Sequence, residues 1–194
     1  MRVVYSMAKN LQANLVNDKT IAILKKFMIF DDLVPADIKK ILSLDANTTD
    51  AYQNRIIKLC QYKAGEVVIR EGEFDCWSFW VVKGVFDVIQ NGQPIASFSN
   101  SGEIFGEMSV LEGIPRTASV VSVTSGVCLC IDMSVIETME DEGIRTTIKN
   151  GFYKVILARL GRTKDKMMAE KQQLEIKYAG LLSFEEKIRA KAQK

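Results

Sequence analysis

The feature that most constrains this chain is a spacing of glycines. Gly65, Gly72, Gly84, Gly92 and Gly102 separate the runs "IIKLCQY", "EVVIREG", "CWSFWVVKG", "VFDVIQNG" and "QPIASFSNSG". Each run is short and rich in β-branched and aromatic residues, which pack well on a pleated surface. Short strands with regular turn signals are the mark of an antiparallel sandwich or barrel. "QNGQ" at 90–93 predicts a tight hairpin, because Asn-Gly accepts the positive φ of a primed turn. Further on, "TASVVSVTSGVCLCIDM" predicts two more strands hinged at Ser125 and Gly126. Seven or eight strands result, enough for a jelly roll.

The period changes on either side of this β region. Residues 8–44 read as helical, with Leu33, Ile38, Ile41 and Leu42 at helical spacing and Pro35 suited to a helix start. From Ser134 the helical period returns. "MSVIETMEDE" predicts a short helix ending near Gly143, and a longer helix follows from Ile144 or Phe152 past Lys177. Tyr153, Leu157, Leu160, Met167, Leu174, Tyr178 and Leu181 fall on a 3–4 spacing, interrupted by Lys164 and Lys171. That stripe suits either homodimerisation along the helix or packing against the chain's own barrel. The expected organisation is a helical segment over 1–50, a jelly-roll core over 51–135 and C-terminal helices over 136–194. The fold class is mainly β with flanking helices.

Composition narrows the chemistry. The 194 residues carry 26 Lys/Arg against 24 Asp/Glu, which makes no general electrostatic case for nucleic acid. The basic excess sits from Phe152 onward, with 11 Lys/Arg and 5 Asp/Glu; a solvated helical face accounts for it. There is no histidine, so no Ser-His-Asp or Cys-His catalytic group and no His-ligated metal can be built. Cys60, Cys76, Cys128 and Cys130 show no CxxC spacing and read as small apolar residues in a reducing compartment. No signal peptide or apolar stretch of about 18 residues is evident. The expected location is therefore cytoplasmic, with no membrane contact and no metal.

One segment carries chemistry. In "GEIFGEMSVLEGIPRTASV" a helix-like turn interrupts the strands. The amides of Gly106, Glu107, Met108 and Ser109 would open a short helix, where unpaired donors and the local dipole favour an anion. Arg116 follows a Pro break and brings a guanidinium fork that matches phosphate oxygens. Glu107 fits such a site if it turns from the phosphate to accept from a hydroxyl. The alternative is a Glu107–Arg116 ion pair that only pins the loop, and residue types alone do not separate the two.

The run Phe105-Gly106-Glu107-Met108 through Pro115-Arg116-Thr117-Ala118-Ser119-Val120 resembles the phosphate-binding cassette of cyclic nucleotide-binding domains. These occur in cAMP-dependent kinase regulatory subunits, cyclic nucleotide-gated channels and catabolite activator proteins. Gly65, Gly72 and Gly84 fall where the family places glycines, and the likeness spans roughly residues 25–175. The resemblance implies that Glu107 holds the ribose 2′-hydroxyl and Arg116 the cyclic phosphate. It places the amides of Gly106, Met108 and Ser109 on phosphate oxygens, with Phe105 opening the cassette and Thr117 and Ala118 beside phosphate and base. "LARLGRTKDK" is similar to the base-capping segment of catabolite-activator-like proteins, which assigns Thr163 and Lys164 to the base. In some members a Thr after the Arg goes with cGMP; here cAMP is the expected ligand.

The chain departs from the catabolite activators in one respect. Only the segment around 180–194 follows the long helix, with no recognition-helix pattern. The expectation is a stand-alone cyclic-nucleotide sensor without a helix-turn-helix, signalling through its C-terminal helix to its own twin or to an unknown downstream protein. Direct DNA binding is not expected, nor is catalysis, for which no carboxylate cluster stands near the cassette. The alternatives are an interaction domain of the same fold that holds no ligand, and a transcriptional regulator lacking its own DNA-binding domain.

Overall fold

A computed structural model of the chain describes residues 9–10, 17–44 and 57–192. Two compact units are present, Met1–Phe152 and Tyr153–Lys194.

The first unit is built on two antiparallel sheets. Strands β1 (Lys9–Asn10), β2 (Ile57–Tyr62), β9 (Gly126–Asp132), β4 (Trp77–Lys83) and β7 (Ile104–Phe105) form one, in that spatial order. Strands β3 (Val67–Ile69), β8 (Ser119–Ser122), β5 (Phe86–Gln90) and β6 (Gln93–Phe98) form the other. All pairings are antiparallel. The fold is the expected antiparallel jelly roll, mainly β with flanking helices and a long C-terminal helix. Eight strands lie between Ile57 and Asp132. The β5–β6 hairpin turns at Asn91 (φ 51°) and Gly92 (φ 75°), both in the left-handed region that a primed turn demands.

Between the sheets lies an aromatic core: Tyr62, Phe79, Phe86, Phe98 and Phe105, with Val68, Ile69, Val81, Val120, Cys128 and Cys130. Phe79 and Phe105 stack with centroids 5.3 Å apart, and Phe98 stacks on Phe105 at 5.8 Å. The strand β9 is buried on both faces along most of its length, as is the centre of β4. That is why "FWVV" and "VCLCI" are continuous apolar runs without polar alternation. The outer face of β4 presents Trp80, whose ring meets Phe152 edge-on at 6.2 Å.

Helix α1 (Asp18–Leu24) is capped by the Asn17 side chain, which accepts from the Thr20 amide at 2.9 Å. Helix α2 (Pro35–Leu44) starts at Pro35 as expected, and a 3₁₀ turn (Met28–Phe30) precedes it. Of the stretch 8–44 read as helical, residues 8 and 11–16 lie outside the described residues, and Lys9–Asn10 pairs as a strand with Cys60 and Gln61. A two-residue strand has no periodicity of its own, and its conformation is imposed by the edge of β2. The remaining helices are α3 (Glu107–Glu112), α4 (Met133–Glu137) and α5 (Glu142–Ala192). The polar stretch 45–55 lies outside the described residues.

Within the second unit, α5 is a single helix whose apolar stripe faces solvent. Leu157, Leu160, Met167, Leu174, Tyr178 and Leu181 are all exposed. Lys166–Glu170 and Lys171–Glu175 pair at i,i+4 spacing with N···O of 3.9 Å each, a modest support for an exposed helix. Among the described residues no helix is long and apolar enough to cross a membrane.

Candidate functional site

The site begins where β7 ends. Gly106 stands at φ 78°, ψ 7° and caps the six-residue helix α3. A Cβ at this position would lie 2.8 Å from Arg116 Nη1, 2.9 Å from Ile69 Cδ1 and 3.2 Å from Phe79 Cδ2. Glycine is therefore required twice, by the left-handed backbone and by the crowding around it. The turn of α3 leaves its first amides without intrahelical acceptors. The helix closes at Gly113 (φ 64°), whose amide donates to the Ser109 carbonyl at 2.9 Å.

Arg116 is 3% exposed, and the fold satisfies its guanidinium from several directions. Nε donates to Asp75 Oδ2 at 3.0 Å, and Nη2 donates to Asp75 Oδ1 and to the Trp77 carbonyl, the latter at 2.5 Å. Nη1 donates to the Gly106 carbonyl at 2.5 Å and to Ser109 Oγ at 3.4 Å. The guanidinium carbon lies 5.8 Å from the Phe79 ring centroid. The arginine main chain is tied to the β3–β4 loop as well. Its amide donates to the Glu73 carbonyl at 2.7 Å, and its carbonyl accepts from the Gly72 amide at 2.8 Å.

Glu107 opens α3 and is itself only 4% exposed. Taking carboxylates and a guanidinium out of water is expensive unless their partners are well placed. The structure meets that requirement for Arg116 through a bidentate pair with Asp75, whose side chain keeps 14% exposure. The sequence-derived choice was between a Glu107–Arg116 ion pair and a shared ligand. The carboxylate that takes the guanidinium fork is Asp75.

The other expected residues fall into four groups. Ser109 is buried, with Arg116 at its hydroxyl, while Met108 is 45% exposed. Phe105 is a core residue whose ring is packed against Phe79, Phe86 and Phe98, which leaves only its backbone for a ligand. Thr117 is exposed, and its carbonyl accepts from Gln90 Nε2 at 3.0 Å; Ala118 is half-buried. Thr163 and Lys164 are exposed on α5 and belong to the second unit. Asp75 is the site residue that sequence reasoning missed. It lies 41 residues from Arg116 and is one of three carboxylates in "REGEFDC", with nothing local to single it out.

Comparison with known proteins decides the family. Residues 59–142 match the family described as the cyclic nucleotide-binding domain. This region is a cyclic nucleotide-binding domain. It contains Asp75, Gly106, Glu107, Ser109 and Arg116. Among curated relatives, a cGMP-dependent protein kinase of Plasmodium berghei is 27% identical over 130 residues, covering 65% of this chain and 13% of that protein. A cAMP-dependent protein kinase regulatory subunit of Eremothecium gossypii is 29% identical over 103 residues, covering 52% of this chain and 21% of the relative. The chain thus spans about a fifth or less of the length of these two relatives. A crystal structure of a cyclic nucleotide-binding domain from Methylobacillus flagellatus shares the fold with a TM-score of 0.60 at 18% identity, covering 77% of this chain and 81% of that one.

Proposed function

We propose that the chain is a cyclic-nucleotide receptor module, with cAMP the better ligand, and that it senses rather than catalyses. The observation that carries this reading is the convergence of a buried arginine, a buried glutamate and a glycine-capped helix start inside a matched domain. In this reading Arg116 takes the cyclic phosphate with the amides of Gly106, Met108 and Ser109. Glu107 takes the ribose 2′-hydroxyl, and Thr117 and Ala118 border phosphate and base. Thr163 and Lys164 are assigned to the base by resemblance, an assignment that titration of Thr163→Ala and Lys164→Ala tests separately. Ligand binding shifts α5 between two arrangements of different affinity, and the readout passes to a second copy or to a downstream protein in the cytoplasm.

Calorimetric titration with cAMP and cGMP is the test. The expected result is saturable heat with cAMP at micromolar or lower dissociation constant, weaker heat with cGMP, and a penalty for 2′-deoxy-cAMP that disappears in Glu107→Ala. Equal binding of cAMP and 2′-deoxy-cAMP by the wild type removes the ribose role of Glu107. Absence of heat and of thermal shift from either nucleotide at millimolar concentration ends the receptor reading.

One observation favours the second reading, an interaction domain of this fold that holds no nucleotide: Asp75 already fills the arginine fork. Titration of Asp75→Asn separates the two. Heat from this variant alone would mean that the carboxylate blocks the site in the resting chain. Silence from both it and the wild type leaves the interaction domain.

A further inference from the structure

The barrel interior holds a second reactive group that the nucleotide site does not use. In the β2–β9 ladder Cys60 stands opposite Cys128, and Lys58 opposite Cys130. Residues two apart on a strand share a face, so Cys60 and Tyr62 of β2 look the same way as Cys128 and Cys130 of β9. Three thiols and a phenol therefore meet at one end of the core. Cys130 is the diagonal neighbour of Cys60 across this ladder. Tyr62 Oη lies 4.0 Å from Cys130 Sγ, and Cys130 Sγ lies 3.8 Å from the Cys128 carbonyl.

The members differ in access. Cys128 and Cys130 are buried, whereas Cys60 is only partly buried at the margin of the core. Their acidities differ in the same sense. The neighbouring Cys130 and then the charge of Lys58 hold the Cys60 thiol below the usual thiol range against the opposing effect of burial, while burial pushes Cys128 and Cys130 well above it. Cys76, outside the cluster, is pushed up by burial and by Asp132 and Asp75. A partly exposed, acid-shifted thiol facing further thiols across a ladder is an arrangement that can react with a peroxide and then be resolved.

We propose that Cys60 is a peroxide-reactive thiol and that Cys130 resolves it, closing a disulfide between β2 and β9 inside the barrel. In the first step the Cys60 thiolate attacks one oxygen of hydrogen peroxide. The O–O bond breaks, the sulfur is oxidised to the sulfenic acid, and the peroxide is reduced to hydroxide, which takes up a proton. In the second step the Cys130 sulfur attacks the Cys60 sulfur. The S–O bond breaks, and the departing hydroxide leaves as water with the Cys130 proton. Diagonal partners across an antiparallel ladder stand about 7–8 Å apart between Cα atoms, beyond the usual span of a disulfide. Closure therefore draws β2 against β9. Cys130 packs in the same core cluster as Phe79, whose ring lies against Arg116 and Gly106.

The experiment uses the wild-type full chain, so no variant has to fold. The protein is treated with hydrogen peroxide, quenched in urea, alkylated, reduced and alkylated again with a mass-distinct reagent. Tandem mass spectrometry then locates each label on either side of Leu129. The expected result is the second label on Cys60 and Cys130 and the first label on Cys76 and Cys128. Cys60 should lose its thiol about tenfold faster than Cys76. In Cys130→Ala of wild-type circular dichroism, dimedone should capture Cys60 as the sulfenic acid. A Cys60–Cys128 linkage overturns the choice of resolving thiol. Cys60 reacting no faster than Cys76, or no dimedone adduct in the folded variant, overturns the site.

Discussion

The segment 105–118 and the part of α5 beyond Phe152 depart from ordinary burial in opposite ways. In the first, charge is buried: Arg116 and Glu107 are almost fully covered, and Arg116 is bonded to Asp75, Trp77, Gly106 and Ser109. In the second, apolar bulk is exposed, with Leu157 at 66%, Leu174 at 65% and Leu181 at 64%. Each reverses the usual preference of soluble proteins, which bury leucine and expose charge. Buried charge is stabilised by partners within the same unit, so its logic is complete locally. An exposed apolar stripe on a long helix gains nothing until something covers it. The first region is complete within its own unit, whereas the second leaves apolar surface open to solvent.

The largest expected effect breaks the buried side of this contrast. Asp75→Ala leaves the guanidinium without its counter-charge and should cost about 3–5 kcal/mol of folding stability by chemical denaturation. A cost below about 1 kcal/mol would show that the pair is solvated in solution. Arg116→Ala should weaken cyclic nucleotide binding by about 2–5 kcal/mol, read by calorimetry on the folded variant. Unchanged affinity would move the phosphate away from Arg116.

Gly106→Ala sharpens the steric half of the argument. A left-handed backbone for an L-residue costs about 1–2 kcal/mol, and the crowding at Arg116 Nη1 adds to it, so the melting temperature should fall clearly. Tolerance of alanine here would mean that β7 and α3 shift easily.

On the exposed side, Leu160→Gln with Leu174→Gln should change stability by less than about 0.5 kcal/mol and lower the oligomeric state in sedimentation. A monomeric wild type removes self-association along α5. The smallest effect concerns Lys40 and Asp141, paired at 2.5 Å. The hydrogen bond from Lys40 lowers the Asp141 carboxyl below its ordinary value and raises the Lys40 amine. The Asp141 contribution is present above the unfolded carboxylate pKa and is lost as pH falls through the folded value. The Lys40 contribution is lost as pH rises through its raised value. Lys40→Met should flatten both edges of the stability profile slightly, and an unchanged profile would show that the pair contributes nothing.

Much of the β architecture was legible because its signals are local. Gly92 beside Asn91 fixes a turn, and unbroken apolar runs such as "VCLCI" mark strands buried on two faces. Pro35 marked a helix start for the same reason. Three features were not legible. Lys9–Asn10 is a strand only because β2 offers an edge. Ile104–Phe105 is too short to show alternation before α3 begins. Asp75 finds Arg116 only once β4 and the cassette are folded against each other. Sequence reasoning set Arg116 against its near neighbour Glu107, whereas the fold brought in a carboxylate from far along the chain.

That distant partner has a mechanical consequence. The β3–β4 loop is fastened to Arg116 at the main chain through Gly72 and Glu73 and at the side chain through Asp75. Loop and arginine are in effect one rigid lever with two anchor points. Any anion that tugs the guanidinium must either tear Asp75 away or drag the whole loop along. The arrival of a charge would thus be converted into a displacement of backbone, which a neighbouring surface can feel without touching the anion itself.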